Sequence, residues 1–270
     1  MEKEREIIWI RHGYTEGNDN DENYQKGDPN INLLDEGWRQ LIRTGAGLND
    51  YLHERGYTKP PLFFHGELDR HIQSFEALRY GMGDDFCPPD AKVHHDTRLN
   101  EISFGVLPHM IGKEEEYFES MSLQYSKAVK KGNDFSAAAM HGESSRMAHA
   151  YMKLFLDGTI ERDFEDGHEC IVCVTSGRPI QVGLMNLMHI SMRALEDGSL
   201  KNPDNGDMIS VKGTSQNLTA TRIWHGPTAT KRNDNIMDEV TPLPKFEVPD
   251  HIKAEPEFAQ KNNNDYDPEP

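Results

Sequence analysis

Ile7-Ile8-Trp9-Ile10-Arg11-His12-Gly13 sets the pattern on which the rest of the chain is built. Four apolar residues in a row read as a strand buried on both faces, and the run stops abruptly at a charged residue, a histidine and a glycine. The same grammar returns at Pro61-Leu62-Phe63-Phe64, followed by His65-Gly66, and at Val93 to Leu99, followed by Asn100-Glu101. Glu169 to Thr175 is the most strand-like segment of all, and Leu218 to Trp224 closes the series. Helical spacing fills the intervals. Leu41, Ile42, Gly45, Leu48 and Leu52 recur along Asp35 to Arg55, with Asp35 expected to cap the start. Further helices are expected through Ile72, Phe75 and Leu78, over Lys113 to Lys131, over Glu143 to Ile160, and through Ile180, Leu184 and Leu187. Strands alternating with helices predict an α/β three-layer sandwich with a mostly parallel sheet.

Composition bounds what such a domain can do. The chain has 270 residues, 29 Lys plus Arg, 46 Asp plus Glu and a formal net charge of −17. That field disfavours nucleic acid and anionic membranes, so an anionic ligand needs a locally positive pocket. No apolar run reaches the roughly 20 residues of a membrane span. Met1 to Glu6 is charged and leads into only a short apolar run, too brief for a signal-peptide core. The only cysteines are Cys87, Cys170 and Cys173, which excludes a disulfide scaffold and leads us to expect a reducing, cytoplasmic compartment. Cys170 and Cys173 fall inside a predicted strand, three apart and therefore on opposite faces, which speaks against redox or metal chemistry. Residues 234–270 carry ten acidic residues, three lysines and six prolines. We expect a body at 1–233 and an acidic extension at 234–270, either a mobile tail or a strap.

Ligands of parallel sheets sit beyond the carboxyl ends of the strands. Arg11 offers a planar fork for a phosphate or carboxylate, His12 a nucleophile or base, and Gly13 a sharp turn or a close approach to a ligand. Arg70 falls near a helix start, where backbone N–H groups add to its charge. Glu101 is a candidate general acid, provided its surroundings raise its pKa.

In order and spacing these positions resemble the histidine phosphatase superfamily, which includes phosphoglycerate mutases and many acid phosphatases. Arg11-His12-Gly13-Tyr14-Thr15-Glu16-Gly17-Asn18 is similar to its opening Arg-His-Gly-x-Ser/Thr-x-x-Asn. Leu68-Asp69-Arg70-His71-Ile72-Gln73-Ser74 is similar to Leu-x-Arg-Ala-x-Gln-Thr, and Leu99 to Gly105 to the segment bearing the general acid. Asp28-Pro29-Asn30-Ile31-Asn32-Leu33, with Gly37 and Gln40, follows the pattern, as does His141-Gly142-Glu143-Ser144. The likeness runs from about residue 6 to 225 and is nearest the broad-specificity acid phosphatases and plant phosphoglycerate mutase-like proteins.

The resemblance implies a phosphomonoester hydrolase acting on a small phosphorylated metabolite or nucleotide. His12 would become a phosphohistidine, Arg11 and Arg70 would neutralise phosphoryl oxygens, and Asn18 and Thr15 would touch the phosphate. Glu101 would protonate the leaving group, and Glu143 would contact substrate. A helical cap insertion is expected at about 106–147. No metal or other cofactor is implied. A homodimer stays open, and mutase activity is disfavoured by the insertion. One departure matters. In Val172-Cys173-Val174-Thr175-Ser176-Gly177-Arg178, Ser176 stands where the family places a second histidine. A hydroxyl carries no charge, and a lost donor to a transition-state oxygen is worth roughly 100- to 1000-fold in rate. Arg178, His225 or His141 are candidates to compensate. The alternatives are therefore a working phosphatase, a phosphate-binding pseudoenzyme that senses or docks, and, more distantly, an adaptor working through its acidic tail.

Overall fold

The computed structural model describes residues 4–19, 30–105, 138, 141–196, 198–214 and 217–226, all within the unit Met1–Asp234. The acidic extension, most of the expected cap and the helix expected over Lys113 to Lys131 lie outside the described residues.

Six strands form one sheet: β1 (Arg5–Arg11), β2 (Leu62–His65), β3 (Val93–His95), β4 (Cys170–Thr175), β5 (Met208–Thr214) and β6 (Asn217–Trp224), in the order β3-β2-β4-β1-β5-β6. The first four are parallel, while β5 and β6 run antiparallel as the far edge. The composition of β4, Cys-Ile-Val-Cys-Val-Thr, suits its central position. It is buried at every residue, as expected of a parallel strand covered on both faces. Alternation along β1 then divides the core. Ile7 and Trp9 join Leu62, Phe64, Ile171 and Cys173 in a cluster with Phe155, Ile180 and Leu184, and Cys170 is not part of it. Ile8 and Ile10, fully buried, belong to the opposite face.

The helices are α1 (Glu16–Asp19), α2 (Asp35–Glu54), α3 (Asp69–Met82), α4 (Ser145–Phe155), α5 (Glu161–Glu165), α6 (Gly177–Leu187) and α7 (Arg193–Glu196). Together they flank the sheet and complete the expected layers. Between α4 and α5 the backbone widens into a π turn at Leu156–Ile160, where Asp157-Gly158 weakens helix preference.

Three local expectations change. Asp35 does not cap α2: Leu34 holds that position, and Asp35 is the first helical residue, where its charge still favours the positive helix end. The third strand stops at His95, because Asp96 accepts from the Arg98 N–H and starts a 3₁₀ turn over Thr97–Leu99. Strand β5 carries Ser210, Lys212 and Gly213 among its apolar residues, which hid it from a reading tuned to apolar runs.

Candidate active site

The site lies where β1, β4 and β2 end. At the end of β1 the His12 N–H donates to the Thr175 carbonyl at 2.9 Å, locking the first strand end to β4. Gly13 is required here for a reason other than ligand approach. A Cβ on it would lie 2.6 Å from the Gly37 carbonyl oxygen, so the loop is pressed onto the first turn of α2. Its N–H donates to Ser74 Oγ of α3 at 3.1 Å. Asn205 clamps the same loop from the other side, donating to the His12 carbonyl at 2.9 Å and the Gly13 carbonyl at 3.1 Å. No sequence motif marked Asn205, because its role comes from a loop nearly two hundred residues further along the chain.

These contacts fix the chemistry of His12. Its Nδ1 lies 2.8 Å from the Gly13 carbonyl oxygen, which can only accept, so Nδ1 carries the proton and Nε2 keeps its lone pair. The ring is buried, and burial together with Arg70 and Arg11 holds its pKa well below the usual histidine value. His12 is therefore a neutral imidazole between two guanidiniums.

Arg70 sits in the first turn of α3 and is buried. Arg11, at the end of β1, is partly buried and donates to the Pro203 carbonyl at 2.6 Å. Glu101 is brought to the pocket by β4: Thr175 Oγ1 donates to the Leu99 carbonyl just ahead of it. Burial of its carboxyl raises the pKa against the opposing pull of the Ile102 N–H and of Arg70, Arg178 and Arg11. Arg178, at the start of α6, is thus one of the cations acting on Glu101.

The remaining sequence candidates have more local partners. Thr15 Oγ1 donates to Asn18 Oδ1 at 3.0 Å and accepts from the Asn18 N–H at 3.2 Å, which caps α1. Asn18 Oδ1 is thus engaged, and its amide nitrogen is the end suited to an anion. Glu143 accepts from the Ser103 N–H at 2.9 Å and donates its own N–H to the Ser103 carbonyl at 2.7 Å, tying the start of α4 to the Glu101 segment. The two histidines offered as replacements are both exposed. His225 lies 3.4 Å from Asp207, while His141 sits in a left-handed turn at φ 57°. Asp204, Asp207 and His225 could in principle group around a cation, but Asp207 already accepts from the N–H groups of Gly226 and Asp204 and faces Arg222 at 3.2 Å. That arrangement closes a turn. Ser176 is buried, and its Oγ lies 2.7 Å from Nε2 of His71, a residue that sequence reasoning passed over.

Residues 7–223 match the model of the histidine phosphatase superfamily, branch 1. The chain belongs to this superfamily. No curated protein matches it in sequence. Solved structures share the fold at low identity. The mycobacterial glucosyl-3-phosphoglycerate phosphatase in complex with inorganic phosphate superposes with TM-score 0.59 at 17% identity, covering 82% of this chain and 97% of that one. The alpha-ribazole phosphatase of Shigella flexneri gives 0.58 at 18%, covering 80% and 95%. The phosphoglycerate mutase of Bacillus anthracis gives 0.56 at 16%, covering 82% and 93%. Among the described residues no helix is long and apolar enough to cross a membrane.

Proposed function

We propose that this superfamily member is a phosphomonoester hydrolase for a small phosphorylated metabolite or nucleotide, of the broad-specificity acid phosphatase type. The observation that carries the reading is the state of His12: neutral, with Nδ1 committed to Gly13, Nε2 left with its lone pair, and Arg70 and Arg11 acting on the ring. Nε2 attacks phosphorus, forming an N–P bond as the P–O bond to the leaving group breaks. Glu101, whose pKa burial raises, gives its proton to the departing oxygen. The two guanidiniums meet the charge on the non-bridging oxygens, the main requirement of phosphoryl transfer. In the second half Glu101 takes a proton from water, the oxygen attacks phosphorus, the N–P bond breaks and inorganic phosphate leaves with His12 neutral again.

Phosphate release from an aryl phosphate and a panel of phosphometabolites tests this. Turnover in the wild type that disappears in His12→Ala is the expected result. A second reading, a phosphate-binding pseudoenzyme, draws on Ser176. It predicts that phosphate raises the melting temperature while no panel member is hydrolysed.

A further inference from the structure

Helix α3 carries an imidazole that these steps leave unused. His71 follows Arg70, is fully buried, and has its ring centroid 5.8 Å from that of His12. Its Nε2 lies 2.7 Å from Ser176 Oγ, at the end of β4. Its Nδ1 is buried beside the Asn100 carboxamide. The space for the ring is cut into the fold at Gly66, where a Cβ would lie 2.2 Å from His71 Nδ1 and 2.7 Å from Asn100 Oδ1. Two departures from the sequence pattern meet here. Histidine stands at 71 where the pattern has alanine, and serine stands at 176 where it has histidine. Although 105 residues apart in sequence, the two are joined by one buried hydrogen bond.

We propose that His71 supplies the second imidazole of the phosphoryl site from α3 instead of from the end of β4, acting through Ser176. The proposal rests on the phosphohydrolase reading above. His71 Nε2–H donates to Ser176 Oγ, and the serine hydroxyl proton is thereby directed to a non-bridging phosphoryl oxygen. The opposite polarity, which a proton on Nδ1 facing the Asn100 carboxamide would favour, turns the serine proton to His71 and leaves only lone pairs facing a dianion; on this proposal a bound phosphoryl group draws the pair into the first. A donor onto the serine oxygen also polarises its O–H, strengthening the bond it gives. No covalent bond to either residue forms: His12 remains the nucleophile and Glu101 the proton donor. Ser176 touches the substrate, and His71 is a positioning residue.

The test compares His71→Ala, Ser176→Ala, their double variant, and the exchange His71→Ala/Ser176→His. Each is read by the single-turnover rate on an aryl phosphate and by affinity for orthovanadate. Each single variant is expected to lose about 100-fold in both readouts, the size of a missing transition-state donor. The His71→Ala/Ser176→Ala pair should be no worse than either single, since the two act as a unit. The exchange variant, which replants an imidazole on β4, should recover to within about tenfold of the wild type, a rescue that a purely structural His71 cannot produce. His71→Ala within about threefold of wild type in both readouts overturns the proposal. So does an exchange variant as poor as His71→Ala while its circular dichroism and melting temperature match the wild type. Should the exchange variant fail to fold, the alanine cycle decides, because it adds no volume: multiplied losses overturn the pairing and matched losses support it. Absence of turnover in the wild type would instead remove the phosphohydrolase reading, and turnover surviving in His12→Ala would remove its nucleophile, while the vanadate comparison would still report on His71.

Discussion

Two strands of this sheet run out into the same dipeptide. His12-Gly13 follows β1 and His65-Gly66 ends β2, and in both cases imidazole Nδ1 donates to the glycine carbonyl, at 2.8 and 2.7 Å. Both rings are buried and both pKa values are lowered. Their surroundings differ in one respect. His12 lies between Arg11 and Arg70, whereas His65 stacks on Phe75 with ring centroids 5.3 Å apart and meets His95 at 4.2 Å. The local motif fixes a tautomer and nothing more. On the function proposed above, two guanidiniums turn one copy into an anion site, while an aromatic neighbour with a second imidazole makes the other part of the core.

The largest contrast between the copies comes from removing each imidazole. His12→Ala is expected to abolish turnover, by at least about 10⁴-fold, because no other group inherits the nucleophile's role. His65→Gln should leave kcat/KM within about fivefold of wild type. A steady-state assay of the two variants at pH 6 decides the matter, and equal losses would dissolve the distinction.

Next in size is the charge that separates the two environments. Arg70→Ala should cost about 10³-fold in kcat/KM, a single transition-state contact being worth 10²–10³ and phosphoryl charge being concentrated. Circular dichroism must accompany the assay, because the side chain is buried. A loss below tenfold would show that Arg11 alone defines the anion site.

Glu101→Gln sharpens the role of the carboxyl by leaving-group dependence. An alkyl phosphate should lose 10²–10⁴-fold, while a nitrophenyl phosphate, which departs without a proton, should lose far less. The same logic sets the pH profile. Activity should rise as His12 loses its proton below the ordinary histidine pKa of 6.5, and fall as Glu101 loses its proton above the ordinary glutamate value of 4.5. The fall should be muted for the nitrophenyl ester. Identical profiles for both esters would remove Glu101 as the acid.

The smallest effect belongs to His65 and falls on stability. Its folded pKa of about 4 lies below the unfolded value of 6.5, so the unfolded chain takes up the proton first. Stability should therefore be lost as pH falls from 6.5 towards 4, by about 3 kcal/mol at most from this group. Chemical denaturation at pH 7 and pH 4.5 should show a smaller drop for His65→Gln than for wild type. An unchanged drop would move the acid sensitivity to other buried groups such as His12 and His71.

The comparison also explains what the sequence made legible. Apolar runs bounded by His, Gly and Arg exposed β1, β2 and β4, because strands buried on both faces leave no polar alternation to confuse the reading. Strand β5 was lost for the converse reason, with Lys212 and Ser210 set among its apolar positions. Arg11, His12, Arg70 and Glu101 were legible because each lies within a few residues of a strand end or a helix start. His71 and Asn205 were not. Their meaning depends on residues about 105 and 193 positions away, Ser176 and His12, and no local pattern carries that information.

The most direct test of the central claim is a rapid-quench experiment with a labelled aryl phosphate, followed by mass spectrometry of the trapped protein. A phosphoryl group on His12 is predicted, labile to acid, stable to alkali, and absent from His12→Ala. Turnover without label on His12, or with an alkali-labile label on Ser176, would contradict the account.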